Sequence, residues 1–147
     1  MRRLERLMRV NEYLSGFRIP DSGIVPLVAV SQADATGRLT GMSGDQLLIA
    51  RPELHQGGDS DRRRDSISLA FFVLAKEYGP ATTPESEDGM FRRLLDLADR
   101  VLSRVAEDSS SPVCGLLSGL SLTSADVVPE YSLFGGWSGW SIDITLE

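Results

Sequence analysis

The 147-residue chain has one cysteine (Cys114), one histidine (His55) and one lysine (Lys76). A single cysteine forms no internal disulfide and no cysteine-based zinc cluster within one chain, and it fits an intracellular setting. A single histidine leaves few ways to build a base-assisted nucleophile. His55 sits in the polar stretch HQGGDSD with no motif serine beside it. No G-x-S-x-G elbow is present; GGWSGWS has a different spacing and precedes a strand rather than a helix. Asp59 and Asp61, near His55, match neither an EF-hand nor a zinc-site spacing. TGRLTGMSGD has glycines but no G-K-[ST] ending and no following helix, so it is not a phosphate loop. Lys76–Glu77 has only distant acidic partners, unlike a nuclease centre. Long apolar runs are missing too. Nothing approaches the ~20 residues that span a bilayer, and MRRLERLMRVNEYL has no uninterrupted apolar core of a secretory signal. The expectation is a protein without catalytic residues, cofactor, metal or membrane span.

What is present is ordinary for a folded domain. Hydrophobic residues make up 41% and charged residues 24%, and a chain of this size buries a core without staples, so 1–147 is expected to be one domain. The net charge is −6 and the sequence pI about 4.8, which argues against a surface that coats nucleic acid. All basic residues except Lys76 are arginine, the side chain suited to forked ion pairs. Arg62, Arg63 and Arg64 stand together, flanked by Asp59, Asp61 and Asp65. They read either as a solvated loop or as a contact to a neighbouring subunit or to DNA phosphates.

Periodicity assigns the elements. Residues 2–15 read as a helix, with Leu4, Leu7, Met8 and Leu14 near helical spacing and Gly16 as the stop. IPDSG (19–23) is a turn, 24–32 a strand, 35–45 a glycine-rich hairpin tip and 46–54 a second strand interrupted at Pro52. Residues 55–65 read as a polar loop. SISLAFFVLAKEY (66–78) turns apolar on both faces midway, as a central strand does. After a linker at 79–89, residues 87–107 form an amphipathic helix on Phe91, Leu94, Leu95, Ala98, Val101, Leu102 and Val105. Residues 116–124 and 127–135 read as strands, and WSIDITLE closes the chain with strict alternation. The fold class expected is α+β: a mostly antiparallel sheet with the long amphipathic helix and the N-terminal helix packed on one face.

The stretches RRRDSISLAFFVLA, FRRLLDLADRVLSRV and GLSLTSADVVPEYSLFGGWSGWSIDITLE, in that order, resemble the tail-terminator and head–tail joining proteins of tailed bacteriophages and contractile-tail particles. The likeness is one of element order and strand character over residues 24–147. It implies a non-enzymatic virion assembly protein that forms a ring, usually a hexamer, on the last tail-tube ring and offers a surface to the neck. The sheet would line or support the channel, and loops and termini would contact neighbours. Partners would then be other copies and tail-tube and neck proteins, with DNA only in transit. The location would be the bacterial cytoplasm or the virion. The competing reading is a small intracellular adaptor that binds a protein or ligand through the 55–65 loop.

Both tryptophans lie in the closing stretch, three residues apart. Gly135, Gly136 and Gly139 permit a sharp turn or bulge there. In an unbroken strand Trp137 and Trp140 face opposite ways. The expectation is that Trp140 joins the core with Ile142, Ile144 and Leu146 and that Trp137 is exposed at a subunit contact; the alternative is that both cap the core.

Overall fold

The computed structural model describes residues 2–58, 64–76, 83–111 and 113–147. The elements run α1 (Arg2–Ser15), β1 (Leu27–Ala29), α2 (Gln32–Leu39), β2 (Gln46–Ala50), β3 (Glu53–Gly57), β4 (Arg64–Ala75), α3 (Pro84–Ser110), a 3-10 turn (Gly115–Leu117), β5 (Leu122–Leu133) and β6 (Trp137–Leu146). The strands form one sheet in the order β1-β2-β4-β6-β5, and β3 lies beside the first part of β4. Among the described strands only β1 and β2 pair in parallel; the other pairings are antiparallel. The α+β class expected from the sequence is the class observed.

The apolar alternation of β4 and β6 sets the two layers. Ile67, Leu69, Phe71 and Val73 of β4 and Ile142, Ile144 and Leu146 of β6 are buried in the main core, because side chains two apart share a sheet face. α3 covers that face with Met90, Leu94, Leu97, Ala98, Val101 and Val105, all buried. Full burial of each large aliphatic side chain is worth about 1.5–3 kcal/mol. A capping box between Thr83 and Ser86, Pro84 in the first turn and Glu85 and Glu87 there fix the helix start. The helix is longer at both ends than its apolar stripe of 87–107 indicates. α1 adds Val10, Tyr13 and Leu14 to the same core. The Tyr13 hydroxyl donates to Asp108 Oδ2 at 2.6 Å, and Arg104 Nε lies 3.2 Å from the same oxygen. Burial, then the Asp108 carboxylate, pushes the Tyr13 pKa upward, so this phenol stays protonated and ties α1 to α3.

Several element boundaries differ from the sequence reading. The 35–45 region is no hairpin tip: β1 and β2 are parallel and α2 crosses between them. The Ser31 hydroxyl caps that helix by accepting from the Asp34 N–H, so SQAD (31–34) acts as a helix start. The strand at 24–32 shrinks to Leu27–Ala29. Pro52 does divide 46–54, but the second piece pairs with β4 as β3. Residues 115–117 form a 3-10 turn, and the two strands read at 116–124 and 127–135 are one, β5, with Pro129 inside it. Proline is tolerated there because β5 is an edge strand.

α2 packs on the opposite sheet face. Ala35 and Leu39 join Ala29, Leu48, Leu74 and Trp137 in a second, smaller core. Trp137 is therefore 1% exposed, which overturns its placement at an exposed contact. Trp140 lies on the helical face, partly buried against the main core. Its Nε1–H donates to the Phe91 carbonyl at 2.8 Å, and its ring meets Phe91 edge-on at 5.9 Å. The two indoles do face opposite ways, but the inner one is Trp137.

Gly139 lies between them, opposite Leu74 of β4. At its φ of 157° a Cβ would sit far inside van der Waals contact distance of the Val73 carbonyl oxygen and press on Leu94. Gly139→Ala is expected to lower unfolding free energy by about 3 kcal/mol, read from urea midpoints. Trp137→Ala is expected to cost about 3–5 kcal/mol in the same measurement, as truncation of a filled core does.

Candidate functional site

The sheet face turned away from α1 and α3 is only partly covered. α2 shields the end built from β1, β2 and the Phe134 turn. Toward the other end, the register places Ser68 opposite Glu53 and Thr145, and Ala70 opposite Asp143. Asp126 faces Asp143, and Val128 faces Ser141. These positions alternate with the core positions, so they share one surface. It carries hydroxyls, small side chains and acids. Asp126 and Asp143 are exposed, while Ser141 is buried and its hydroxyl lies 3.0 Å from Glu130 Oε1.

Asp126 and Asp143 are direct cross-strand partners of like charge, an unfavourable pairing worth about 0.2–1 kcal/mol. Partial burial, then Asp126, then Glu130 raise the Asp143 pKa above the ordinary carboxyl value. At the β1–α2 end, Asp34 Oδ2 accepts from the Val30 N–H at 3.0 Å and pairs with Arg38 Nε at 3.0 Å. That backbone hydrogen bond, then Arg38, holds the Asp34 carboxyl below its usual range.

Where α2 meets the β5–β6 turn, a cavity of about 610 Å³ opens beside the acidic surface. Its apolar wall includes Leu48, Phe72, Leu133 and Phe134, and Arg51 and Glu130 supply charge. Phe72 and Phe134 meet edge-on at 5.3 Å. Among the described residues no group of three or more His, Cys, Asp or Glu side chains is placed to hold a metal ion, and no helix is long and apolar enough to cross a membrane.

The structure distributes the sequence-derived candidates widely. Arg62 and Arg63 lie outside the described residues, as do Asp59, Asp61 and Glu77. Arg64 is the first residue of β4, paired with Gly57. Of the expected 55–65 loop, His55–Gly57 belong to β3 and Arg64–Asp65 to β4, and residues 59–63 lie outside the described residues. His55 is exposed, with Nε2 3.5 Å from Glu53 Oε2. Trp137 and Trp140 are separated by the sheet. The Asp126–Asp143 pair is invisible in sequence, since it depends on the β5–β6 register; alternation in WSIDITLE does mark Asp143 as facing away from the core. No protein-family model matches the chain, and no curated protein matches its sequence.

A carboxyl whose folded pKa is raised binds its proton more tightly in the folded state. Stability from Asp143 is thus present below the unfolded value near pH 4 and declines as pH rises through the folded pKa. Asp143→Asn is expected to stabilise the protein at pH 7 by about 0.5 kcal/mol after solvent screening. The difference should vanish near pH 3 and shrink in 1 M salt, as read from urea midpoints.

Proposed function

We propose that this protein is a non-enzymatic assembly subunit of a phage or phage-tail-like particle, of tail-terminator or head–tail joining type. Its copies form a ring that ends the tail tube and contacts the neck. The observation that carries this reading is the two-sided character of the sheet: α1 and α3 bury one face, and hydroxyl and acidic side chains line much of the other. In a ring with α1 and α3 outward, that second face, with α2 on it, lines the lumen. A lumen bearing Asp126 and Asp143 repels phosphates, so DNA passes without adhering. The order of elements supports the same reading through its likeness to the terminator proteins. The partners on this reading are identical copies, the tail-tube protein and a neck protein. The site of action is the bacterial cytoplasm during assembly and then the virion.

The cavity between α2 and the β5–β6 turn favours a second reading, an adaptor that takes a ligand or a partner's apolar side chain. On this reading the cavity, rather than the 55–65 loop, is the place of binding.

Light scattering behind size exclusion separates the two. The assembly reading predicts a closed multimer whose mass is independent of concentration over a hundredfold range. A strict monomer up to millimolar concentration would overturn self-assembly into a ring and leave the adaptor.

A further inference from the structure

The sheet has two strands with an unused hydrogen-bonding edge, the long β5 and the short β3. Among the described residues β5 pairs only with β6, and β3 only with β4. Unpaired edges invite another strand. On β5, register irregularities at Leu122/Ser124 and Glu130/Leu133, and Pro129, bound a regular segment Ser124–Val128. Its length matches β3, which has 5 residues.

We infer that Ser124–Val128 of one copy pairs with β3 of the next, joining the sheets of neighbouring subunits into one closed barrel. This rests on the ring reading above and names the interface that builds it. Three arguments carry it.

The first is strand sense. Going from β3 to β4, β6 and β5, every step is antiparallel, so β3 and β5 run in opposite directions. Rotation about a ring axis near the strand direction preserves that sense. β5 therefore meets the neighbour's β3 antiparallel, and the alternation continues unbroken around the ring. The contact is heterologous, the kind that closes into a cycle.

The second is stagger. His55, the centre of β3, faces Ser66 of β4. Asp126, the centre of the β5 segment, faces Asp143, which faces Ala70 of β4. The offset is four residues (70 − 66) across a repeat of four strands, or one residue per strand. One residue per strand is the shear of closed barrels whose strands tilt by about 36°. The staggered edges are thus placed for a tilted, closing sheet.

The third is side-chain chemistry. Centre-to-centre pairing sets His55 opposite Asp126 and Glu53 opposite Val128, all on the face that carries the acids. Asp126 thereby gains a histidine partner that is absent within one chain, where its cross-strand neighbour is Asp143.

Intermolecular disulfide trapping tests the pairing. Within one chain β3 and β5 stand three strand spacings apart, about 14 Å, beyond disulfide reach. In a Cys114→Ser background, His55→Cys combined with Asp126→Cys is expected to give, on mild oxidation, a ladder of covalent multimers ending at the ring stoichiometry. Each single substitution should give dimers at most. Glu53→Cys with Val128→Cys provides a second pair in the same register, and circular dichroism checks that each variant is folded. A multimer by light scattering that neither pair can trap would overturn this interface and leave the ring intact. A monomer that neither pair can trap would overturn both.

Discussion

Nine consecutive residues of β4 pair with nine of β6, from Ile67 opposite Leu146 to Ala75 opposite Ser138, and the remaining architecture depends on that register. Both strands are central, and both alternate. A slip of one residue would send the core set of β6 to the acidic face and Asp143 into the helical core. The register fixes which face α1 and α3 cover, and it seats Trp137 under α2 while Trp140 rests on Phe91. It also carries β3 and β5 outward on opposite sides as the free edges. Gly139 is the one position where this pairing demands a missing side chain, because the backbone of β4 approaches it too closely for a Cβ.

The face opposite α1 and α3 is built partly against stability. Two aspartates oppose each other across β5 and β6, with Glu130 nearby, where alternate threonine or an ion pair would pack better. A local conflict of this sort in an otherwise consistent fold points to function rather than packing. Its cost is small beside the burial under α3, so the fold tolerates it.

The sequence revealed elements whose periodicity was uninterrupted. The 3.6-residue stripe of α3 and the alternation of Trp140–Leu146 were readable because each buries a single face. α2 was hidden: Gly37 and the nearby glycines resemble a turn, and its eight residues bury only Ala35 and Leu39. Ser31 and Asp34 were the available signal. β5 reads as two strands with a gap at 125–126, yet its pairing with β6 runs through that gap and through Pro129, which the edge position allows. Trp140 joins the main core, as its alternation with Ile142, Ile144 and Leu146 indicates, whereas Trp137 is buried rather than exposed because α2 covers it. The acidic surface was half legible, since Asp143 declares its face by alternation whereas its meeting with Asp126 depends on pairing.

The distribution of cover over the sheet bears on how copies would meet. The β1 edge is three residues long and lies next to α2, so it offers little to a neighbour. β5 is twelve residues long, and Pro129, two register irregularities and the charges of Asp126 and Glu130 blunt it. Full closure is what removes an edge altogether. The two remaining edges are opposite in sense, and with the pairing proposed above they would be staggered by one residue per strand. A sheet assembled from identical repeats in that geometry would close on itself rather than grow as a flat ribbon. Its interior would then be the face that carries the hydroxyls and the acids.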